Sequence, residues 1–98
     1  MNMQAMLRQA QNMQKEMMKT QEEINNMTFI GENGFVKVTM KGTKRIEKVE
    51  ISNNELDSSD IELLQDMILV AVNSSLEQID KITEEKMGKY TRGLPGLF

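Results

Sequence analysis

Two residue types that carry much of protein chemistry, cysteine and histidine, are missing from this 98-residue chain. Their absence excludes disulfides, zinc sites of the Cys/His type, thiol nucleophiles and an imidazole base. Neighbouring carboxylates such as Glu22 and Glu23 are expected to be solvated, because so small a chain lacks the bulk to build a pocket around them. The glycines match neither a phosphate-binding loop nor a dinucleotide fingerprint. We therefore expect a protein that is not an enzyme and that uses no metal, cofactor or small-molecule substrate.

Long apolar runs and aromatic side chains are also scarce. The longest apolar run, Met67–Val72, is far shorter than the ~20 residues needed to cross a bilayer, and the N-terminus lacks the apolar core of a secretory signal. We expect a soluble, cytoplasmic protein with no membrane partner. Only four aromatic residues are available for a core. Residues 1–98 are therefore expected to form one small domain whose long helices need cover from a second subunit.

The net charge of −3 results from a strong division of charge along the sequence. Residues 1–49 hold eight Lys/Arg and five Asp/Glu (net +3), residues 50–85 hold one Lys and ten acids (net −9), and residues 86–98 hold three cations and no acid (net +3). A negative net charge argues against nucleic acid, whose binding proteins usually present a basic face. The two basic ends can nevertheless supply such a face.

The N-terminal third has the pattern of a long amphipathic helix. Seven of the eight heptad positions from Met3 to Met27 are apolar, at alternating spacings of three and four, and residues 1–30 contain neither Gly nor Pro. A helix over Met3–Asn26 would be about 36 Å long, too long for one small domain to cover. We expect residues 1–27 to form this helix, with its methionine-rich stripe packed on a partner helix.

The centre of the chain changes to the alternating pattern of β-strands. The segment VKVTM at residues 36–40 alternates apolar and polar side chains, and Gly42 lies in the turn that follows. A second strand, RIEKVEIS, comes next, and Ile46 falls out of its alternation, as at a β-bulge or at a second packed face. A further short strand before the turn at Gly34 would complete an antiparallel meander of two or three strands over residues 28–52.

A second long helix is expected over residues 59–87. One of the serines at 58–59 can cap its N-terminus, and apolar residues recur at helical spacing over residues 61–82. Between Leu63 and Val72 the helix is apolar on nearly every side, so it needs cover from both the sheet and a partner subunit. Residues 88–98, which are rich in Gly and contain the single Pro, are expected to form a flexible tail.

The basic residues form three groups on these predicted elements. The first helix carries cations and amides along one exposed side, and both kinds of side chain can bind phosphate oxygens. The second helix has cations at its end, where they also complement the negative helix C-terminus, and the hairpin cations can protect a strand edge from pairing. Each group is equally consistent with a plain solvated surface. The groups are Arg8, Lys15 and Lys19; Lys86, Lys89 and Arg92; and Lys41, Lys44, Arg45 and Lys48.

Five blocks of sequence follow one another in the order LRQAQNMQKEM, VKVTMKG, VEIS, LLQDMILVAVNSSL and EKMGKYTRGLPG. Together they span nearly the whole chain, and the chain resembles the YbaB/EbfC family of bacterial nucleoid-associated proteins. The resemblance implies an α+β subunit with a long N-terminal helix, a short antiparallel β-meander and a long C-terminal helix, in an intertwined homodimer with projecting helices. It also implies binding to double-stranded DNA in the nucleoid, mainly through phosphate contacts with little sequence preference, and an effect on DNA conformation and gene expression.

Site residues follow from the resemblance and from the apolar pattern. The resemblance places DNA contacts on the helical projections, and the apolar pattern places the dimer interface on the methionine stripe and the apolar part of the second helix. The hairpin KGTKR departs from the family pattern, which is often richer in glycine and less basic. Whether Lys44 and Arg45 also contact DNA is therefore left open. The alternative function is a helical clamp that grips another protein and does not contact DNA directly. The expected DNA contacts are Arg8, Lys15, Lys19, Lys86, Lys89 and Arg92, and the expected interface residues are Met6, Met13, Met17, Ile24, Ile68 and Val72.

Overall fold

The computed structural model describes the backbone of residues 2–92 and the side chains of residues 2–90. Helix α1 spans Met3–Asn26, strands β1, β2 and β3 span Thr28–Asn33, Val36–Lys41 and Ile46–Ile51, and helix α2 spans Ile61–Arg92. This element order confirms the predicted α+β class with two long helices around a three-stranded antiparallel sheet. Within residues 2–92, neither helix combines the length and the apolar character that a membrane span requires.

The start of α2 differs from the prediction of a serine cap. A short 3-10 turn, Ser58–Asp60, precedes α2, and the capping residue is Asp57. Its carboxylate accepts hydrogen bonds from the side chain and the backbone N–H of Ser59, and these bonds hold the pKa of Asp57 below its ordinary value. In return, the Asp60 carboxylate accepts from the Asp57 backbone N–H at 3.1 Å. A charged acceptor makes the stronger hydrogen bond, which explains why the aspartate rather than a neighbouring serine caps this turn.

The end of α2 also lies beyond its predicted position. The helix continues to Arg92, five residues past the expected end at Met87, and Gly88 lies within it. A single interior glycine weakens a helix by only about 1 kcal/mol, which the packing of Tyr90 can offset. The part of the expected tail at residues 88–92 is therefore helical, while residues 93–98 lie outside the described part of the chain.

The strands lie in the order β1-β2-β3 with antiparallel pairing throughout. Gly34 has φ +57° in the two-residue turn between β1 and β2, a conformation that glycine adopts without steric cost. Between β2 and β3, Met40 pairs with Ile46 whereas Thr39 pairs with Lys48, so the intervening residue of β3 has no partner. The bulge predicted from the phase of Ile46 is confirmed.

The core lies between α2 and the first two strands. The inward residues of β2, Val36, Val38 and Met40, are almost fully buried. Phe29 and Ile79 pack with Met40, and Ala71 packs with the two valines. The helix backbone approaches β1 most closely at Gly31, where a side chain would overlap the carbonyl oxygen of Ala71. This close approach fixes the height of α2 above the sheet.

Strand β3 continues the inward face of the sheet beyond the cover of α2. Its residues Ile51 and Val49 pair with Val36 and Val38, so their side chains lie on the same face as the core. Ile46, Val49 and Ile51 are nevertheless 45%, 45% and 42% exposed. The edge of the sheet thus presents an apolar surface that the subunit itself leaves open.

The molecule is far more extended than a self-contained domain of this length. Its principal dimensions are 70 × 23 × 14 Å, and its radius of gyration is 19.6 Å, against about 13 Å for a compact chain of this size. The accessible surface is 7585 Å², whereas a compact monomer of this mass exposes roughly 5,700 Å². The subunit is therefore elongated and exposes more surface than a compact monomer of its mass.

Candidate nucleic-acid interface

The two helices form one antiparallel arm. Near the sheet, Met27 packs on the cluster that contains Ile79, and farther out the Tyr90 hydroxyl lies 3.4 Å from the Thr20 hydroxyl. Helix α1 therefore approaches the sheet while α2 leaves it. Tyr90 is buried, whereas the sequence analysis predicted a tail at this position. The prediction missed it because a lone aromatic residue after Gly88 gives no periodic signal. This contact holds the end of α2 beside the middle of α1.

An open groove of about 590 Å³ lies between the outer part of α1 and the end of α2. It brings together one predicted cation from each helix, Arg8 and Lys89. The Lys89 ammonium lies 5.0 Å from the centre of the Tyr90 ring, a cation–π distance that favours this position of the lysine. The groove is lined by Ala5, Arg8, Gln9, Asn12, Met13, Glu16, Lys89 and Tyr90.

The other predicted cations lie outside this groove. Lys15 and Lys19 line a separate shallow depression on α1 together with Met18, Glu22 and two amide side chains. Lys86 is exposed on α2, and the side chain of Arg92 is outside the described part of the chain. The structure thus joins Arg8 to Lys89 but leaves the remaining cations spread along the arm.

Ion pairing distinguishes the hairpin lysines from the cations of the helices, whereas Arg45 of the hairpin is in no ion pair within the described residues. Within residues 2–90, all three ion pairs involve the hairpin: Lys48 with Glu50 at 3.0 Å, Lys44 with Asp80 at 3.3 Å, and Lys41 with Glu47 at 4.0 Å. Lys48 donates a hydrogen bond to Glu50, which holds the pKa of that carboxyl below its ordinary value. Among the same residues, no carboxylate pairs with the cations of α1 or with Lys86. These cations therefore meet solvent without a competing partner.

The predicted dimer-interface residues lie in four different environments. Ile24 is fully buried within its own subunit, so its prediction as an interface residue is wrong: the chain already covers this part of the stripe, and the carbonyl of Ile24 lies directly over Gly42. Met13 and Met17 are half-buried where the end of α2 passes, so the partner helix expected for this part of α1 is the subunit's own α2. Ile68 and Val72 pack on the subunit's own core, and Met6 is 52% exposed.

Several exposed apolar residues were not among the predicted interface residues. The sequence predicted that the segment from Leu63 to Val72 needs a second cover, and its uncovered side is formed by Leu63, Leu69 and Val70. The inward face of β3 is equally open, and its only sequence signal is its position as the last strand of a meander. The exposed set is Ile46, Val49, Ile51, Leu63, Leu69 and Val70.

Comparison with known proteins finds one matching family model and several similar nucleoid-associated proteins. The model of the YbaB/EbfC DNA-binding family matches residues 1–94. A nucleoid-associated protein of Lactococcus lactis is 47% identical over 97 residues, which cover 97% of this chain and 98% of that protein. A nucleoid-associated protein of Enterococcus faecalis is 45% identical over 98 residues, which cover 98% of this chain and 94% of that protein.

A solved structure shares the fold at lower sequence identity. The crystal structure of an uncharacterised protein from Helicobacter pylori superposes with a TM-score of 0.74 at 17% identity, covering 93% of this chain and 98% of that one. This likeness supports the arrangement of two long helices around a small sheet. Because the family model matches nearly the whole sequence, the chain belongs to the YbaB/EbfC DNA-binding family.

Proposed function

We propose that this protein is a nucleoid-associated protein that binds double-stranded DNA through phosphate contacts, with little preference for sequence. The family match and the names of the relatives from Lactococcus lactis and Enterococcus faecalis support this function. The observation that carries the proposal is the division between paired and unpaired cations. The arm presents exposed cations without carboxylate partners, whereas the lysines of the hairpin are held in ion pairs.

Unpaired cations on a rigid helix suit a phosphate backbone. They are Arg8, Lys15 and Lys19 on α1 and Lys86 and Lys89 on α2, and we assign Arg92 to the second group from its position in the sequence. Each cation that meets a phosphate releases a counterion condensed on DNA, which drives binding without reading the bases. Gln4 and Gln11 lie among the cations of α1 and can donate further hydrogen bonds to phosphate oxygens.

The hairpin lysines are assigned a different role. Lys44 and Lys48 already contact the carboxylates of Asp80 and Glu50, so a phosphate would meet a cation whose charge is partly neutralised. The pairs are exposed and individually weak, but they also place negative charge beside each lysine, which repels phosphate. We propose that these lysines stabilise the hairpin and lie outside the DNA contact.

The replacement Arg8→Ala tests the proposal. It removes two cations from a dimer, so affinity for double-stranded DNA should fall roughly thirtyfold at physiological salt. The loss should be equal on DNA fragments of different sequence, because phosphate contacts do not read bases. Fluorescence anisotropy with several duplexes measures this loss. Lys48→Ala is the matched control, because it removes the same charge from a paired position and should change affinity less than twofold.

A clamp that grips another protein is the second candidate function, favoured by the exposure of Met3, Met6 and Leu7 at the outer end of α1. The two functions differ in what the cations do. A clamp predicts that neither wild type nor Arg8→Ala binds duplex DNA at micromolar concentration. Unchanged DNA affinity in Arg8→Ala would instead place the DNA contact elsewhere on the molecule.

We further propose that the functional unit is an obligate homodimer whose interface includes β3 and the exposed side of α2. The apolar face of β3 is continuous with the core, and the exposed leucine and valine side chains of α2 belong to the helix that forms the other wall of that core. The surface exposed beyond that of a compact monomer, roughly 1,900 Å², is of the size that a stable dimer buries from one subunit. A second copy offers the same apolar surface and can cover it symmetrically.

A dimer of this kind links folding to association. The melting temperature should rise with protein concentration, and sedimentation at micromolar concentration should show no folded monomer. Val49→Asp places a charge in the proposed interface and should lower the melting temperature while steepening its concentration dependence. Ile30→Asp is the matched control, because Ile30 is 43% exposed on the opposite face of the same sheet. A folded monomer at micromolar concentration would contradict the dimer.

A further inference from the structure

The groove of about 590 Å³ between the helices, which we call the arm groove, has one wall from each helix of the arm. Its α1 wall runs from Ala5 to Glu16, a distance of about 16 Å along the helix axis. Its α2 wall is formed by Lys89 and Tyr90. A ligand that lies along the groove therefore contacts α1 and α2 at the same time.

The lining of the arm groove has the chemistry of a binding surface for a DNA backbone. Arg8 and Lys89 supply positive charge, Gln9 and Asn12 supply amide groups, and Met13 supplies apolar surface. Phosphate oxygens accept hydrogen bonds from cations and amides, and the deoxyribose between phosphates can pack on an apolar side chain. One strand of duplex DNA carries a phosphate about every 3.4 Å along the axis, so a groove about 16 Å long can span several phosphates.

The α2 wall is held in place before any DNA binds. Tyr90 is buried, and its hydroxyl lies 3.4 Å from that of Thr20 on α1. The Lys89 ammonium lies 5.0 Å from the centre of the Tyr90 ring. Within residues 2–90, neither Arg8 nor Lys89 is in an ion pair. Both cations are therefore available to phosphate, and the fixed wall lowers the ordering cost of binding.

We propose that the arm groove holds the backbone of one strand of duplex DNA, with Arg8 and Lys89 on phosphates of that same strand. The inference rests on the proposed DNA binding and adds which surface of the arm receives the strand. Because the strand joins α1 to α2, the two cations act as one unit. Lys15 and Lys19 line a separate depression and contact DNA outside the groove.

A double-mutant cycle tests whether the two cations hold one strand. Fluorescence anisotropy measures binding of duplex DNA to the wild type, Arg8→Gln, Lys89→Gln and the variant with both changes. Loss of either cation should release the strand from the groove, so the double variant should bind at most about threefold more weakly than the weaker single variant. The control cycle pairs Arg8→Gln with Lys19→Gln, because Lys19 lies outside the groove. There the two losses should multiply to within about twofold.

The outcomes of the cycle separate this inference from the proposed function. Losses that also multiply for Arg8 and Lys89 would overturn the shared strand and leave DNA binding intact. Absence of DNA binding in the wild type would overturn both. Lys89→Arg keeps the positive charge and should bind within about twofold of the wild type. A loss as large as that of Lys89→Gln would instead assign the effect to packing and overturn the phosphate contact of Lys89.

The acid in the lining supplies a test of opposite sign. Among the described residues that line the arm groove, only Glu16 is negatively charged. Its carboxylate repels a nearby phosphate, so Glu16→Gln should raise DNA affinity roughly threefold. Glu23→Gln is the matched control, because Glu23 is exposed on the same helix outside the groove and its replacement changes the net charge equally. Its affinity should change by less than about 1.5-fold. Equal gains would show that DNA responds to the summed field and would overturn the strand in the groove.

Hydrogen exchange reports the link between the two helices directly. A strand in the groove contacts α2 as well as α1, so saturating duplex DNA should slow amide exchange in residues 86–90 roughly tenfold. In Arg8→Gln, measured at the same low salt concentration and also saturated with DNA, the same amides should slow by less than about twofold. Amides of β2 should be unchanged by DNA in both proteins. Full protection of residues 86–90 in Arg8→Gln, or none in the wild type, would overturn the proposal.

Discussion

A fourfold increase in salt concentration is expected to weaken DNA binding by at least about a thousandfold. In the proposed dimer the three α1 cations, Arg8, Lys15 and Lys19, become six. If each neutralises one phosphate, these six contribute roughly −5 to the slope of log affinity against log salt, because each contact contributes about −0.9 on double-stranded DNA, and contacts by the α2 cations steepen the slope further. Anisotropy titrations at four or five salt concentrations measure this slope. A contact made through the methionine surface would show only weak salt dependence.

Two triple variants can assign the slope to its source. Arg8→Gln, Lys15→Gln and Lys19→Gln together remove three positive charges from the arm, where no ion pair holds them. Lys41→Gln, Lys44→Gln and Lys48→Gln remove the same charge from the hairpin, where all three are paired. We expect the arm variant to flatten the slope by about 5 and the hairpin variant to leave it nearly unchanged.

This comparison controls for net charge, since both variants become more acidic by the same amount. Equal flattening in the two variants would mean that DNA responds to the summed field of the molecule rather than to the arm. A flatter slope in the hairpin variant alone would move the contact to the sheet. Circular dichroism on both variants checks that the helices remain folded.

Much of the fold could be predicted from the sequence because its signals are local. The heptad spacing of α1, the alternation in VKVTM and the phase shift at Ile46 each depend on residues close together in the chain. The structure confirms the elements that they predict. The helix cap was wrong by one or two residues, because Asp57, Ser58 and Ser59 can all cap a helix and only the hydrogen-bond geometry distinguishes them.

What covers each apolar surface could not be predicted in the same way. A heptad stripe indicates that α1 packs on another helix. Its spacing is the same whether that helix belongs to a partner or is the subunit's own α2. The structure buries Ile24 within the subunit, and for that reason its prediction as an interface residue fails. The pairing of Lys44 with Asp80 joins positions 36 residues apart, so the sequence could not show that this cation is already occupied.

The position of α2 on the sheet depends on one glycine. A methyl group at Gly31 would overlap the carbonyl oxygen of Ala71 and would come within 2.9 Å of the backbone nitrogen of Ser75. Both are backbone atoms of a packed helix and cannot rotate away as a side-chain end could. Relief requires α2 to lift from β1, which opens the contacts of Phe29 and Val38 with the helix.

Gly31→Ala is therefore expected to destabilise the protein by about 3 kcal/mol or more, at the upper end of overpacking effects. For a domain of this size that lowers the melting temperature by roughly 15 °C. Calorimetry measures it at matched protein concentration, because the proposed dimer would link folding to association. Gly34→Ala is the matched control: its added methyl group meets the flexible end of Met67. The remaining cost is that of placing alanine in the left-handed backbone conformation of Gly34, about 1–2 kcal/mol.

Adding Ser75→Ala to Gly31→Ala removes the nearby hydroxyl but leaves the Ala71 carbonyl in place, so it should restore little stability. Full rescue by Ser75→Ala would show that the side chain, and not the helix backbone, sets the distance between α2 and the sheet.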